Sequence, residues 1–215
     1  MKIGIIGSGD VGRTLGQAFL SEGHAVMLGT RNTSKPEVVA WKKDNPSGET
    51  GIFSEAAKFG ELLVIAIEGP ATEAAVRLAG PENFSGKTVI DVTNPITNDP
   101  PVNGVLKFFT GPDGSLMKKI QVLAPGAKLV KAFNSVGNTL MYKPNLPGGT
   151  PTMFICGDDE AAKRTVTEIL LSFGWEVEDM GKAEAAGAIE SLCILWCIPG
   201  FLRNDWTHAF KLLKA

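Results

Sequence analysis

The chain has 215 residues, 44% of them hydrophobic and 20% charged, which is enough for one well-buried domain but not for two large ones. A formal net charge of −2, with no basic run among aromatic residues, argues against a nucleic-acid partner. The most apolar stretch, residues 193–202, is too short to cross a bilayer, and the first strand leaves no room for a signal peptide. Three cysteines without a pairing pattern suit a reducing compartment, so we predict a cytoplasmic protein without a membrane partner.

A glycine-rich turn follows the first predicted strand. The pattern predicts a strand at residues 2–6, a helix from about 9 to 22 and a second strand at 25–28. The turn has the form GxGxxG and consists of Gly7, Ser8, Gly9, Asp10, Val11 and Gly12. In a βαβ unit such a turn brings the helix N-terminus and backbone N–H groups to a pyrophosphate. Glycine-rich turns also occur in ordinary loops, but this context favours a dinucleotide site.

The residues after the second strand indicate which dinucleotide is bound. An NAD site normally has Asp or Glu about 20 residues past the glycines, where the carboxylate binds the ribose 2′-hydroxyl. This chain has no acid in residues 25–32 and carries Thr30, Arg31 and Asn32, followed by Lys35. A guanidinium can clamp a 2′-phosphate, which a carboxylate would repel. We therefore predict NADP(H); the alternative is that Arg31 and Lys35 belong to an ordinary solvated loop.

The middle of the chain continues to alternate strands and helices. The predicted elements are a helix at 36–43, a turn at 45–48, a strand near Ile52, a helix at 54–59, a strand at 62–67 and a helix at 72–79. In a doubly wound sheet the strand at 62–67 lies beside the first strand, and its end borders the ligand crevice. We therefore predict Ala66 and Ile67 beside the ribose or nicotinamide. Glu68 either joins them or is an exposed loop carboxylate.

Two later strands also end in polar residues. The strand at 88–92 is followed by Asn94 and Pro95, and the strand at 128–133 by Asn134. The Asn94 amide is well placed to bind a nicotinamide carboxamide or ribose, although Asn-Pro also favours a simple turn. Between these strands, residues 96–115 are rich in proline and glycine and are predicted to form a long loop near the site, before a helix at 115–123.

The last part of the chain is predicted to add a strand at 152–156, a helix at 158–173, a strand at 176–180 and a helix at 183–197 that Pro199 and Gly200 end. Cys193 and Cys197 stand one helical turn apart. Neither histidine nor another cysteine is near them in sequence, so packing in the core is favoured and no metal site is predicted.

The chain lacks the usual pattern for a catalytic acid, which a carbonyl reductase needs. Its only tyrosine, Tyr142, has no lysine four residues later. His24 begins the second strand, at the wrong end of the sheet, and His208 lies in the C-terminal tail. No catalytic residue is assigned. The hydride acceptor is therefore predicted to be a flat molecule that lies on the nicotinamide and takes its proton from solvent, as flavins and deazaflavins do.

Six short motifs are spread along the chain: GSGD at 7–10, TRN at 30–32, DVTNP at 91–95, VKAFN at 130–134, ICGD at 155–158 and DMG at 179–181. Together they resemble the NADP oxidoreductases that use a deazaflavin coenzyme. They resemble still more the cytosolic reductase domain of the six-transmembrane epithelial antigen metalloreductases. The resemblance extends from residue 3 to about residue 190.

This resemblance implies a Rossmann domain that selects NADPH through Thr30, Arg31 and Lys35 and passes hydride to a flavin-type acceptor. It implies that residues 7–11 surround the pyrophosphate, that Ala66 and Ile67 contact the ribose, and that Asn94, Pro95 and Asn134 lie on the nicotinamide side. This chain departs from the two families in two respects. The metal-reducing membrane domain is not in this chain, and the deazaflavin enzymes have histidine where this chain has Asn134.

The sequence thus predicts a Rossmann-type, doubly wound α/β fold with a mostly parallel sheet and helices on both faces. Residues 1–180 form the NADP-binding domain, and residues 181–215 form a helical segment packed on it. The predicted function is NADPH-dependent hydride transfer to a small planar flavin or deazaflavin. The alternatives are a non-catalytic NADP(H)-binding redox sensor, or a reductase of a small carbonyl or imine at a dimer interface. A homodimer is compatible with the sequence.

Overall fold

The computed structural model describes residues 1–111 and 113–214. Strands and helices alternate along these residues. The strands are β1 (Lys2–Ile6), β2 (Ala25–Thr30), β3 (Glu49–Ile52), β4 (Leu62–Ile65), β5 (Thr88–Asp91), β6 (Lys128–Lys131), β7 (Thr152–Ile155) and β8 (Glu176–Asp179). The helices are α1 (Asp10–Ser21), α2 (Pro36–Asp44), α3 (Phe53–Phe59), α4 (Gly69–Ala79), α5 (Leu116–Leu123), α6 (Glu160–Ser172) and α7 (Ala186–Arg203).

Six of the strands form one parallel sheet, in the order β3-β2-β1-β4-β5-β6. The sequence of connections reverses between β1 and β4, which pair directly with Ile5 opposite Val64. At such a reversal the carboxyl ends of the two strands border a crevice. The predicted Rossmann-type fold and the predicted position of the fourth strand are therefore confirmed. Strands β7 and β8 form a separate parallel pair, which the sequence did not predict.

Apolar residues fill both faces of the sheet. On one face, Leu15 and Phe19 of α1 and Val166 of α6 join a buried cluster with residues from β1, β4 and β5. On the other face, residues of α3, α4 and α5 form a second cluster, to which α7 contributes Ile189. The two clusters make a three-layer core, in which the carboxyl edge of the sheet is the place open to a ligand.

Local sequence explains where the helices begin and end. Gly23, with a φ of 80°, ends α1 in the left-handed conformation that glycine adopts without strain. Ser115 and Asp159 cap α5 and α6, since their side-chain oxygens accept hydrogen bonds from the N–H groups of Lys118 and Ala162. Most observed bounds lie within one or two residues of the prediction. Helix α4 is an exception and begins at Gly69, three residues earlier than predicted.

The end of the last helix was predicted wrongly. Pro199 and Gly200 lie inside α7, which continues to Arg203 and ends where Asn204 adopts a left-handed conformation with a φ of 54°. Proline costs this helix one N–H donor, but the last turn packs tightly: the Gly200 backbone lies against the Trp206 ring. Tertiary packing against the C-terminal tail therefore outweighs the local helix-breaking tendency of proline and glycine.

The length predicted for the apolar C-terminal stretch is also wrong. With the preceding 3-10 turn, residues 183–203 form one helical segment that is long and apolar enough to cross a membrane, and part of it is buried against the protein. The core helix of a soluble protein can have the same length and composition. The absence of membrane and nucleic-acid partners, the homodimer, the cytoplasmic location and the division at residue 180 stay predictions.

The loop predicted at residues 96–115 is confirmed in the part that the structure describes, and Pro112 lies outside it. Two antiparallel bridges order the loop, joining Ile96 to Phe108 and Val102 to Val105. Ile96, Leu106 and Phe108 pack on the cluster of Cys193, Trp196 and Cys197 in α7. The loop is thereby attached to the C-terminal helix and closes one side of the crevice.

Candidate functional site

Two adjoining cavities occupy the crevice at the carboxyl edge of the sheet. The β2-side cavity, of about 250 Å³, lies at the end of β2, and the β5-side cavity, of about 520 Å³, lies at the end of β5. Their shared wall consists of Gly9, Ala66, Ile67 and Glu68. A long ligand can therefore extend from one cavity to the other across the glycine turn.

The glycine turn is shaped for close approach of a ligand to the backbone. Gly7 has a φ of 130°, and a Cβ atom there would overlap the carbonyl group of Ala66. A Cβ atom at Gly12 would overlap the carbonyl of Gly7, so this glycine lets α1 lie against the turn. At Gly9, by contrast, no atom lies within 4 Å of an added Cβ, and α1 begins there without a side-chain cap. The open surface and the free helix start fit a phosphate-bearing ligand.

Buried hydroxyl groups order the loop beside the β2-side cavity. The Ser8 hydroxyl donates to Thr30 Oγ1 at 3.0 Å, and the Thr30 hydroxyl is 3.3 Å from the Asn32 carbonyl, to which it donates. The N–H group of Ser34 donates to Asn32 Oδ1 at 2.9 Å. Thr30 and Asn32 thus hold the turn that carries Arg31 into the cavity wall.

Two cations line the β2-side cavity. Arg31 is exposed, and Lys35 is only loosely paired with Glu37, at 3.9 Å. Phe53 and one face of α4 add an apolar wall to the same cavity. The α4 residues, missed by the sequence analysis, are Ala71, Ala74, Ala75 and Leu78. Their spacing of three, four and seven residues was the signal, because it places all four on one helix face.

A pair of asparagines stands at the β5-side cavity. Asn94 Nδ2 donates to the Asn134 carbonyl at 2.8 Å, and Asn134 Nδ2 donates to Asn94 Oδ1 at 3.1 Å and to the Ile189 carbonyl at 2.9 Å. Asn94 lines the cavity, whereas Asn134 is 4% exposed and stands behind it. Among the described atoms, Asn134 Oδ1 is buried without a hydrogen-bond partner. Asn94 makes one described hydrogen bond through Nδ2 and one through Oδ1, so it keeps a second amide hydrogen and a second oxygen lone pair for a ligand amide.

The turn before Asn134 is strained. Phe133 is fully buried and has a φ of 62°, a conformation unusual for a bulky residue. Its N–H group is directed at Met153 Sδ, 3.1 Å away. Such strain persists only where surrounding packing holds it, and it is frequent at functional sites. Here it turns the chain at the end of β6 so that Asn134 meets Asn94.

A buried ion network lies beneath the asparagines. The Lys131 ammonium is fully buried and lies 2.8 Å from Asp91 Oδ2, 2.9 Å from Glu190 Oε1 and 2.7 Å from the Thr93 carbonyl. Burial opposes the charge of Lys131, but the two carboxylates outweigh it and raise the pKa of the ammonium above its ordinary value. Asp91 and Lys131 lie in motifs seen in the sequence, but the sequence did not predict that Lys131 pairs with both Asp91 and Glu190.

The structure brings most of the predicted site residues to the two cavities. The cavity-lining ones are Ser8, Gly9, Asp10, Val11, Thr30, Arg31, Lys35, Ala66, Ile67 and Asn94. Four others are not among the described lining of either cavity: Gly7, Asn32, Pro95 and Asn134. Glu68 is exposed and borders both cavities, so this residue belongs to the crevice rather than to a remote loop.

The residues considered as catalytic acids lie elsewhere. The Tyr142 hydroxyl donates to Glu22 at 2.8 Å, and His24 lies 3.3 Å from the N-terminal amine. The His208 ring stacks on Trp196 beside Cys193 and Cys197, which pack in the same cluster. A hydrogen bond with Cys197, together with burial, raises the pKa of the Cys193 thiol. None of these residues is among those described as lining either cavity.

Comparison with known proteins places the chain among nicotinamide-dependent oxidoreductases. The family model described as "NADP oxidoreductase coenzyme F420-dependent" matches residues 2–95. The rat metalloreductase STEAP3 is 28% identical over 207 residues, which are 94% of this chain but 39% of that protein. The chain therefore spans well under half the length of this relative. The F420-dependent NADP reductase of Methanocaldococcus jannaschii is 26% identical over 205 residues, with 89% of each chain covered.

A solved structure agrees over the whole chain. The crystal structure of a putative F420-dependent NADP reductase from Arthrobacter sp. FB24 covers 100% of both chains, with 32% identity and a TM-score of 0.92. The glycine turn, the cationic loop and the crevice at the strand reversal all lie in the part of the sequence that the family model matches or immediately beside it. This chain belongs to the coenzyme F420-dependent NADP oxidoreductase family and is an NADP-dependent oxidoreductase.

Proposed function

We propose that this oxidoreductase transfers hydride between NADP(H), bound along the crevice, and a planar flavin- or deazaflavin-type acceptor. The observation that carries the proposal is the unequal lining of the two cavities. Cations line the β2-side cavity, whereas neutral amides and apolar side chains dominate the β5-side cavity. The only titratable groups among the residues described there are Asp10 and Glu68.

The β2-side cavity is the proposed site of the adenosine end. Arg31 and Lys35 would bind the 2′-phosphate, because among the described residues the one ion pair that either of them makes is the loose contact of Lys35 with Glu37. Phe53 and the small residues of α4 would pack on the adenine ring. The helix start at Asp10 and Val11 and the bare backbone of Gly9 would receive the pyrophosphate.

The β5-side cavity is the proposed site of the nicotinamide ring. Its carboxamide would meet Asn94, which lines the cavity and keeps one amide hydrogen and one oxygen lone pair outside its bonds with Asn134. Ala66 and Ile67 would lie along the ribose. When bound, the nicotinamide supplies or accepts a hydride, and the chain holds the ring in a fixed position against the sheet edge.

A flat acceptor suits this end of the crevice. An acceptor ring stacked on the nicotinamide needs close contact and alignment, which binding alone can supply. A flavin or deazaflavin can exchange a proton with solvent after hydride arrives, so no histidine, tyrosine or lysine is required at the cavity. The family description and two reductases named above as F420-dependent support a deazaflavin. Asn134 stands where the resemblance implies a histidine in deazaflavin enzymes, which is the reason to include flavins as acceptors.

Loss of NADPH absorbance with a panel of acceptors tests the reaction. The panel contains a deazaflavin, FMN, FAD, a quinone and a small cyclic imine. We expect turnover with the deazaflavin or a flavin. No oxidation with any acceptor in the presence of bound NADPH would favour the rival, a redox sensor without turnover. Turnover with the imine alone would favour a small-molecule reductase, for which Glu68 in the crevice could supply the acid.

The Arg31→Glu variant tests the adenosine end. We expect its NADPH affinity to fall by about 100-fold, equal to about 2.7 kcal/mol, because a clamp on the phosphate becomes a repulsive charge. NADH affinity should change by less than about threefold, since NADH lacks that phosphate. Arg164→Glu in α6 is the matched control, because it makes the same charge change at an exposed site that lines neither cavity. Equal losses for NADPH and NADH would contradict the assignment.

A further inference from the structure

We infer that Glu190 and Lys131 are positioning residues for the nicotinamide: through them, α7 holds the Asn94 and Asn134 pair at the β5-side cavity. This inference rests on the proposed placement of the nicotinamide beside that pair. It assigns a role in the site to the C-terminal helix, which contributes no residue to the described lining of either cavity.

The network joins four parts of the fold at one point. Asp91 is the last residue of β5 and Lys131 the last residue of β6, while Glu190 belongs to α7. The N–H groups of Leu116 and Met117, in the first turn of α5, donate to the Glu190 carboxylate at 3.0 and 3.1 Å. The positive end of α5 and Lys131 therefore share the charge of Glu190, so the buried carboxylate is balanced on two sides.

Each member of the network controls a neighbour of the asparagine pair. Asp91 Oδ1 accepts from the N–H group and the hydroxyl of Thr93, at 2.9 and 2.7 Å, and so shapes the turn that leads to Asn94. Lys131 begins the strained turn through Phe133 that leads to Asn134. Glu190 follows Ile189, whose carbonyl accepts the hydrogen bond from Asn134 Nδ2. Both asparagines are thus supported by a network whose members, Asp91, Lys131 and Glu190, are far apart in sequence.

A buried ion network is poorly explained by stability alone. Apolar residues of similar volume often stabilise a core as well as or better than a buried ion pair, because the charges must first lose their water. Ion pairs and charge-assisted hydrogen bonds do, however, demand particular distances and directions. The network lies at the ends of β5 and β6, next to the two asparagines. Its fixed distances and directions would keep these amides in place, and a small displacement of them would weaken a ligand contact.

The Glu190→Gln variant tests the inference through two ligands. One is NADP⁺, and the other is 2′-phospho-ADP-ribose, which has the adenosine end but no nicotinamide. The amide keeps the size of the carboxylate but offers a single acceptor oxygen and no charge to Lys131 and α5. We expect the NADP⁺ affinity to fall by about 10-fold and the 2′-phospho-ADP-ribose affinity by less than about twofold. The asparagine pair would then be displaced while the adenosine end stays intact.

Asp179→Asn is the matched control. Asp179 pairs with the nearly buried Lys163 at 2.8 Å, on β8 and α6, and lines neither cavity. The same acid-to-amide change there should leave both affinities unchanged. If Glu190→Gln does not fold, Asp91→Asn is measured in the same way, because it breaks the network from β5 instead of α7 while keeping an acceptor for Thr93.

The outcomes separate the two proposals. Wild-type protein that binds NADP⁺ no more tightly than 2′-phospho-ADP-ribose would overturn both the nicotinamide placement and the inference. Wild-type protein that prefers NADP⁺, with a folded network variant that keeps the whole preference, would overturn the inference alone. A variant that loses both ligands by the same factor would also overturn it, because a general structural defect does not select the nicotinamide end.

Discussion

The two ends of the crevice are built in different ways. At the β2-side cavity, Arg31 and Lys35 are accessible side chains on a short loop, and the only ion pair described for them is a loose one. At the β5-side cavity, Asn94 is backed by Asn134 and by a fully buried lysine with two carboxylates. One end is a set of exposed charges, and the other is a pair of neutral amides fixed by charges that water does not reach.

This difference fits what each end is proposed to recognise. A phosphate is charged, and mobile cations near the surface can attract it over several ångströms without exact placement. A nicotinamide ring is neutral in its reduced form and must be held in one orientation for hydride transfer, which requires fixed hydrogen-bond partners. We therefore expect mutations at the two ends to have different effects on stability, and salt to affect dinucleotide affinity mainly through the β2-side end. The glycine turn between the ends should separate effects on folding from effects on binding.

The largest expected effect is on stability at the buried end. Lys131→Met leaves Asp91 and Glu190 buried without their common partner, and we expect the free energy of unfolding to fall by about 3–5 kcal/mol. Lys35→Met, at the exposed end, should cost less than about 1 kcal/mol. Urea denaturation of both variants measures the difference. A loss below about 1 kcal/mol for Lys131→Met would show that the network is not a rigid support.

The glycine turn between the two ends should separate folding from binding. In Gly7→Ala the new methyl group would overlap the Ala66 carbonyl at a φ of 130°, so we expect a loss of about 1–3 kcal/mol in unfolding free energy. In Gly9→Ala the methyl group meets no protein atom within 4 Å, and stability should stay within about 0.5 kcal/mol.

Gly9→Ala should weaken NADP⁺ binding even though it leaves stability nearly unchanged. Its methyl group would occupy the space proposed for the pyrophosphate, so NADP⁺ affinity should fall by about 10-fold or more although the protein is fully folded. Isothermal titration calorimetry on Gly9→Ala and wild type measures this loss. Unchanged affinity would mean that the dinucleotide does not cross the crevice at Gly9.

The smallest expected effect is that of salt. Screening shortens the reach of exposed charges from about 10 Å at 0.1 M salt to about 3 Å at 1 M, whereas buried pairs are screened much less. We expect NADP⁺ affinity to weaken by about three- to fivefold over this range and NAD⁺ affinity to change by less than about twofold. Titrations at both salt concentrations measure it, and Arg31→Gln should remove most of the difference. Equal salt dependence for the two dinucleotides would contradict an exposed phosphate site.

The β2-side end could be predicted from sequence because its parts are local. The glycine turn, α1, β2 and the loop to Lys35 lie within the first 35 residues, and hydrophobic periodicity gave each element within two residues. Thr30 and Arg31 were assigned from their position after the second strand. The α4 wall was missed, although its residues share one helix face, because no motif draws attention to alanines.

The β5-side end could be predicted only in part. The polar residues at strand ends, Asn94 and Asn134, were identified because parallel strands present their carboxyl ends at one edge. Their mutual hydrogen bonds, the left-handed Phe133 and the pairing of Lys131 with Glu190 depend on contacts between distant residues. The end of α7 was predicted wrongly for the same reason: the contact with Trp206, not local propensity, keeps Pro199 inside the helix.

The sequence by itself determined the order of strands and helices, the glycine turn and the cationic loop, because each depends on residues close together along the chain. Only the tertiary structure decided what supports the β5-side end, where the nicotinamide is proposed to bind. Charged residues in an apolar strand are energetically costly unless a partner is present, and sequence alone does not show that α7 supplies Glu190 to Lys131 across the fold.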